Sequence, residues 1–461
     1  MPRRSSAQWQ ALDAAHHLHP FTDHEALART GTRLITRAEG VYLYEADGRA
    51  LLDGMSGLWC VNLGYGRREL AEAAYRQLLE LPYYNSFFQV THPPAIELAH
   101  LLAQVAPDSL SPAGQFKRSF FTCSGSDAND TAVRCVRRYW EILGQPQRKV
   151  IISRRNAYHG STIAAASLGG MAAMHAQGGL PIADIVHIPQ PYWFGEGRHQ
   201  SPEEFGIATA RALEAKILEL GPQRVAAFIA EPIQGAGGII VPPASYWPEI
   251  QRIVDRYEVL LVADEVICGF GRTGEWFGSQ YFGIRPHLMT LAKGISSGYV
   301  PLGAVMLSER VAEPLVREGG EFHHGFTYSG HPVACAVACT SIDILRREQI
   351  IERVRQQTGP YLQQRWAELA AHPLVGEVRG VGLLAAIELM HQGRAFADPG
   401  RVGTLCRDFC TRNGLVMRAV RDTMIVAPPL IISSGQIDEL IDKARRSLDD
   451  TLDALTRAGE L

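Results

Sequence analysis

Seven short apolar runs constrain this chain more than anything else in it. They lie at 119–122, 150–153, 185–188, 225–230, 259–263, 288–291 and 303–307. Several are apolar at nearly every position and show no period-two alternation. A strand with one wet face alternates, and a strand covered on both faces does not. Helical patterns fill the intervals, for example at 128–143, 202–220 and 246–257. This alternation predicts an α/β fold built on a mostly parallel, seven-stranded central sheet.

The two ends of the chain do not fit that sheet. GVYLYEADGRALLD at 40–53 alternates around Asp47-Gly48, which reads as a two-residue hairpin turn. A second region starts near Glu348 with a charged helix over 349–371, continues through 375–389 and ends in a polar helix over 434–461. A smaller α+β domain from 1–82 plus 342–461 is therefore expected beside a large domain over 83–341.

Composition excludes several classes. Forty-five Lys+Arg against 48 Asp+Glu leave a charge of −3, which argues against a dedicated nucleic-acid binder. Hydrophobic residues at 46% exclude intrinsic disorder. The eight cysteines form no C-x-x-C, and Cys335/Cys339 and Cys406/Cys410 are spaced as on one helix face, so reduced core thiols of a cytoplasmic protein are expected. The basic start, Met1-Pro-Arg-Arg, is followed by no apolar segment of a secretory signal. The longest charge-free run, at 161–183, is interrupted by glycines and a proline. It reads as a buried glycine-rich loop plus a short helix, and no membrane span is expected.

Five loops at strand ends could hold chemistry. The run at 259–263 ends in Asp264-Glu265, and a carboxylate at the edge of a dry core needs a partner: a protonated ring nitrogen, an arginine, a metal or a helix end. Lys293 follows another apolar run among small residues, where desolvation frees its amine as nucleophile or base. Ser124-Gly125-Ser126 leads from strand to helix, where exposed N–H groups suit a phosphate and where Ser126 or Asp127 could simply cap the helix. Tyr158-His159-Gly160 offers an aromatic face for a flat ring, and Glu231 opens a glycine-rich loop after the run at 225–230. Two other motifs carry less. GVGLLA at 380–385 matches a nucleotide fingerprint but continues as a strand, and His16-His17-x-His19 and His323-His324 sit in no zinc pattern, so no metal is expected.

Together and in this order, these pieces resemble the class III aminotransferases, a branch of the fold-type-I pyridoxal-phosphate (PLP) enzymes, and among them the ω-amine:pyruvate transaminases. The resemblance covers essentially the whole chain. It rests on HHLHPF at 16–21, GLWCVNLGYG at 57–66, the Ser-Gly-Ser loop, Tyr158-His159-Gly160, EPIQGAGG at 231–238, DEVICGFGRTG at 264–274, Lys293-Gly294 and GFTYSGHP at 325–332. It implies that Lys293 binds PLP covalently and moves the substrate proton, and that Asp264 pairs with the ring nitrogen. It implies further that Tyr158 and Val266 cover the two ring faces, with His159 and Glu231 close by. Gly125 and Ser126 would hold the phosphate, with Thr327 added from a neighbouring subunit, so a homodimer or homotetramer with shared sites is expected. Relatives usually have Glu where this chain has Asp127, which leaves the loop geometry there less defined.

The same resemblance implies a donor amine or ω-amino acid (diamine, β-alanine or arylalkylamine) and pyruvate or a similar 2-oxo acid as acceptor. Arg418 matches a mobile arginine that grips the acceptor carboxylate, with Arg421 as its competitor for that role. Phe21, Leu58, Trp59, Phe87 and Phe88 would form apolar walls, some from the partner chain. Other class III activities, such as 4-aminobutyrate transamination or a PLP decarboxylase or mutase, stay open, and so does a non-catalytic PLP-fold binding protein, against which the intact Lys293 and Asp264 argue.

Overall fold

The computed structural model describes residues 4–107 and 115–461, so the first three residues, the start of the basic N-terminus, lie outside the described residues. All seven apolar runs become strands of one sheet: Phe116–Thr122, Val150–Arg154, Ile185–Ile188, Val225–Ala230, Leu260–Asp264, Leu288–Leu291 and Gly303–Ser308. Counted along the chain, they lie side by side as first, seventh, sixth, fifth, fourth, second and third. Gly303–Ser308 is antiparallel to both neighbours, and the other adjacent pairs are parallel.

Val225–Ala230, Leu260–Asp264 and Leu288–Leu291 are buried at every position, which explains their missing alternation. Successive residues feed different cores. Ile151, Ala227 and Leu260 pack with Val136 and Trp140 of the helix Gly125–Ile142. Ile152, Phe228 and Leu261 pack instead with Leu213 of Pro202–Leu220 and Ile250 of Tyr246–Arg256. Two helical layers thus seal the sheet, and the backbone is exposed to ligand only past the strand ends.

Both chain ends meet in a second sheet. Ile35–Glu39, Tyr42–Glu45 and Ala50–Asp53 are extended by Leu415–Val416, whose Leu415 pairs in parallel with Leu52. A third sheet contains Val375–Val381, Leu384–Leu389, Thr423–Val426 and Arg418–Val420. The GVGLLA segment is the turn of a hairpin in that sheet.

Four local expectations need correction. The hairpin turn is a three-residue loop, Ala46–Gly48, closed by a Glu45 N–H to Arg49 O bond, with Gly48 at φ +88°. Glycine takes that left-handed position without the Cβ clash other residues pay for. The helix expected over 349–371 widens to a π-turn at Val354–Thr358, because Pro360 has no N–H to give the regular ladder. In the run at 161–183 only Ala165–Gly169 is buried; two short helices, Ile163–Leu168 and Ala172–His175, form there, and Gly178 and Gly179 are exposed. The cap of Gly125–Ile142 is Ser124, not Ser126 or Asp127: its hydroxyl accepts from Asp127 N–H at 3.2 Å.

Candidate active site

The parallel strands end at one edge of the sheet, and the chemistry-bearing residues lie at those ends or in the loops that follow them. A cavity of about 350 Å³ opens there. Gly125, Ser126, Tyr158, His159, Glu231, Asp264, Val266 and Lys293 all line it, so eight expected residues from five chain segments converge.

Asp264 closes its strand and is almost fully buried. Its Oδ2 accepts from Asn129 Nδ2 at 2.9 Å and lies 2.7 Å from His159 Nδ1, while Oδ1 accepts from the Val266 N–H at 3.1 Å. One oxygen is saturated by side chains and the other retains capacity toward the cavity. The neighbouring Glu265 points elsewhere. Its carboxylate takes the N–H groups of Gly278 and Ser279 and the Ser279 hydroxyl, and burial raises its pKa to about 7.

Lys293 stands in a left-handed backbone position (φ +49°) just after Leu288–Leu291. Enclosure by protein pushes its amine below its ordinary pKa, against the pull of Cys60, Asp264 and Glu231. Glu231 is itself buried, which raises its pKa; its two oxygens accept from Tyr158 N–H at 3.1 Å and Gly235 N–H at 2.8 Å.

The Ser-Gly-Ser segment forms the first turn of an 18-residue helix, whose leading N–H groups have no partner within the helix. A Cβ on Gly125 would stand 3.1 Å from Val266 Cγ2, so a side chain there would press on Val266. Gly160, at φ +137°, lets the Tyr158 loop close on Ser126, whose hydroxyl accepts from Ser161 N–H at 3.0 Å. His159 Nε2 and Asn129 Oδ1 are buried without partners among the described residues. A bare helix start, a carboxylate with spare capacity and an enclosed amine fit the phosphate, ring nitrogen and aldehyde of PLP.

The substrate residues divide. Trp59 is buried, with its ring centre 5.4 Å from Lys293 Nζ and 5.2 Å from Arg418 Cζ. Phe21 is exposed, yet its ring meets that of Tyr158 edge-on at 6.3 Å. The segment leading to it is tied down at Asp13, whose carboxylate is hydrogen-bonded to His17 at 3.0 Å, to His19 at 2.9 Å and to the Thr32 hydroxyl. Leu58 is half exposed and does not line the cavity. Arg421 sits in a left-handed turn against Gly400 and Gly403, whereas Arg418 lies over the Trp59 ring. Phe87 and Phe88 line a different cavity of about 730 Å³ together with Gly325, and Thr327 lies on that side too, its carbonyl bonded to Tyr83. One chain therefore does not bring these three to its own Lys293.

Sequence reasoning missed Asn129, Cys60 and Cys123, all of which line the Lys293 cavity. Asn129 had a signal, since it lies one helical turn beyond Ser126 and so shares its face. The cysteines had none, because their side chains reach the cavity through the turns that follow Trp59 and Thr122.

A doubly covered sheet that brings a buried lysine, a braced carboxylate and a helix start to one cavity defines a PLP enzyme of fold type I. The chain belongs to the class III aminotransferases, matching Aminotransferase class-III over residues 26–448, and it is a PLP-dependent aminotransferase. It is 60% identical over 451 residues to the putrescine–pyruvate aminotransferase of Pseudomonas aeruginosa, covering 97% of each chain. Among solved structures, an ω-transaminase from Pseudomonas jessenii in complex with PMP aligns with TM-score 0.94 at 39% identity, over 98% of this chain and 99% of that one. A thermostable (S)-enantioselective ω-transaminase from Thermomicrobium roseum aligns with TM-score 0.93 at 43% identity, over 98% and 100%.

Proposed function

We propose that the protein transfers an amino group from a diamine such as putrescine to pyruvate. The observation that carries this is Arg418: a guanidinium that shares the Trp59 ring with the Lys293 amine, with no salt bridge among the described residues. Burial lowers its pKa, so an incoming carboxylate is the partner it lacks. The Pseudomonas aeruginosa relative supplies the choice of putrescine and pyruvate.

PLP, when bound, supplies the electron sink for breaking a C–H bond next to nitrogen. The chain supplies the rest. Lys293 Nζ would take the proton from the carbon that bears the amine and deliver it to the former aldehyde carbon of the cofactor, a role its lowered pKa favours. Asp264 offers the negative charge that a protonated ring nitrogen needs, and Asn129 and His159 hold that carboxylate still. Tyr158 and Val266 both line the cavity and would cover the two faces of the ring, and the Gly125-Ser126 backbone would take the phosphate.

Phe87, Phe88 and Thr327 reach a Lys293 cavity when a second copy of the chain presents them. We therefore take the working unit to be at least a homodimer, supported by the exposed Tyr84, Phe88 and Tyr328 around their cavity. The two sheets built from the chain ends support a small domain of 1–82 plus 342–461 beside a large one of 83–341. Eight free cysteines support a cytoplasmic setting, and no helix among the described residues is long and apolar enough to cross a membrane.

A donor panel run with pyruvate and with 2-oxoglutarate tests the reading. Putrescine with pyruvate should give the highest kcat/KM. A preference for 4-aminobutyrate with 2-oxoglutarate would overturn it. Sedimentation of the holoenzyme should show a dimer or larger, and an active monomer would remove the shared site.

A further inference from the structure

A diamine poses a problem that a simple amine does not. Its far end is a second ammonium, and next to the Lys293 amine stands the Trp59 ring, with the guanidinium of Arg418 already over it. Among the described residues lining the Lys293 cavity the acids are Glu231 and Asp264. Both are buried, and both carboxylates are engaged by donors on this chain. Neither is placed to pair with a cation at the outer end of a substrate.

What the site does offer is an aromatic face that already attracts cations. The Trp59 indole has Arg418 Cζ at 5.2 Å and Lys293 Nζ at 5.4 Å from its ring centre. Both lie inside the range in which a ring quadrupole attracts a positive charge, and burial strengthens that attraction. The Arg418 guanidinium makes no hydrogen bond or salt bridge to this chain among the described residues, and the indole lies under its charge. A cation held this way is released without breaking a hydrogen bond.

The indole is also held in place by a built turn. Ser56, Gly57 and Trp59 all have positive φ, at +50°, +68° and +59°. For a tryptophan that conformation is strained and persists only where the surroundings enforce it. Asp53 enforces it here. Its carboxylate accepts from Met55 N–H at 2.9 Å, Gly57 N–H at 2.6 Å and Tyr65 OH at 2.6 Å. A wall that only filled space would not need a strained backbone to aim it.

Resting on the diamine reading above, we propose that Trp59 is a cation seat used in turn by Arg418 and by the distal ammonium of the substrate. When a carboxylate acceptor binds, Arg418 turns to the carboxylate. When a diamine binds, Arg418 withdraws from the indole, and the distal ammonium takes the position it leaves. Specificity for a dication then comes from a π face and not from an acid, which lets the same site accept an anion in the other half of the cycle.

The test compares putrescine with n-pentylamine, in which a methyl group replaces the distal ammonium, in the holoenzyme with saturating pyruvate. The wild type should favour putrescine in kcat/KM. Trp59→Leu should reduce that preference about tenfold, the effect of losing a desolvated cation–π contact, and Trp59→Phe should retain most of it. Equal loss on both amines would make Trp59 a steric wall and overturn the proposal. A wild type that turns over neither amine would instead defeat the diamine reading. The seat is then judged by inhibition of alanine–pyruvate exchange: stronger inhibition by putrescine than by n-pentylamine, abolished in Trp59→Leu, supports it, and equal inhibition overturns it.

Discussion

Asn129 Nδ2 lies 2.9 Å from Asp264 Oδ2 and 2.6 Å from the carbonyl oxygen of His159. One amide thus ties the carboxylate at a strand end to the loop that presents the Tyr158 ring. Asn129→Ala removes both donors and leaves a buried carbonyl without a partner, at a cost of about 1–3 kcal/mol. We expect a lower thermal midpoint, a shifted absorbance band of the bound cofactor and a kcat reduced about tenfold, with little change in amine KM. An unchanged cofactor spectrum would reduce Asn129 to packing.

Gly160→Ala tests the fit between the two loops that would hold the cofactor. A Cβ at this position would come within 2.5 Å of Ser126 Oγ and 2.7 Å of Ser126 Cα, and φ is +137° besides. The Ser126 turn must shift to admit it. Weaker cofactor retention on dialysis is the expected outcome, with the fold intact by circular dichroism. Wild-type retention of PLP would mean that the Ser126 turn does not hold it.

The buried amine predicts a pH dependence in the cofactor-free protein. Lys293 has a folded pKa below its ordinary value of 10.5, so between those two values the unfolded chain binds more protons than the folded one. Stability contributed by this group therefore rises with pH across that window. Lys293→Met has no such proton, so its stability advantage over wild type should shrink as pH climbs toward 10.5. Chemical denaturation of both proteins at several pH values measures this, and parallel curves would contradict it.

Arg418→Ala should separate the two half-reactions. Losing a charged bidentate grip costs about 1.5–3 kcal/mol, or roughly ten- to hundredfold, and that loss should appear in the KM for pyruvate. Oxidation of a simple monoamine in a single turnover should be largely spared. Equal loss on both sides would count against an arginine that serves only the carboxylate.

Lys293 and Asp264 were legible in the sequence because each directly follows an apolar run, and a doubly covered strand has only its ends to offer. Val225–Ala230 and Leu260–Asp264 announced themselves by lacking alternation, and a sheet sealed by helices leaves no other place for a ligand. The hairpin loop at Ala46–Gly48 was misjudged by one residue, because Asp-Gly suits both a two-residue turn and the end of a three-residue loop, and only the Glu45–Arg49 pairing decides. The π-turn before Pro360 was hidden for a similar reason, since an apolar pattern reports which face is buried but not how the backbone absorbs a missing donor.

By itself, then, the sequence determined the layered sheet and the order in which chemical groups leave its strand ends, because burial on both faces imposes a local composition. Only the tertiary structure decided which of those groups meet. Asn129 reaches Asp264 across 135 positions of chain, and Trp59 and Arg418 approach Lys293 from opposite ends of the sequence. It also decided that Phe87, Phe88 and Thr327 stand apart from their own chain's lysine. Such distances depend on how sheets and turns pack together, and no local pattern of residues encodes them.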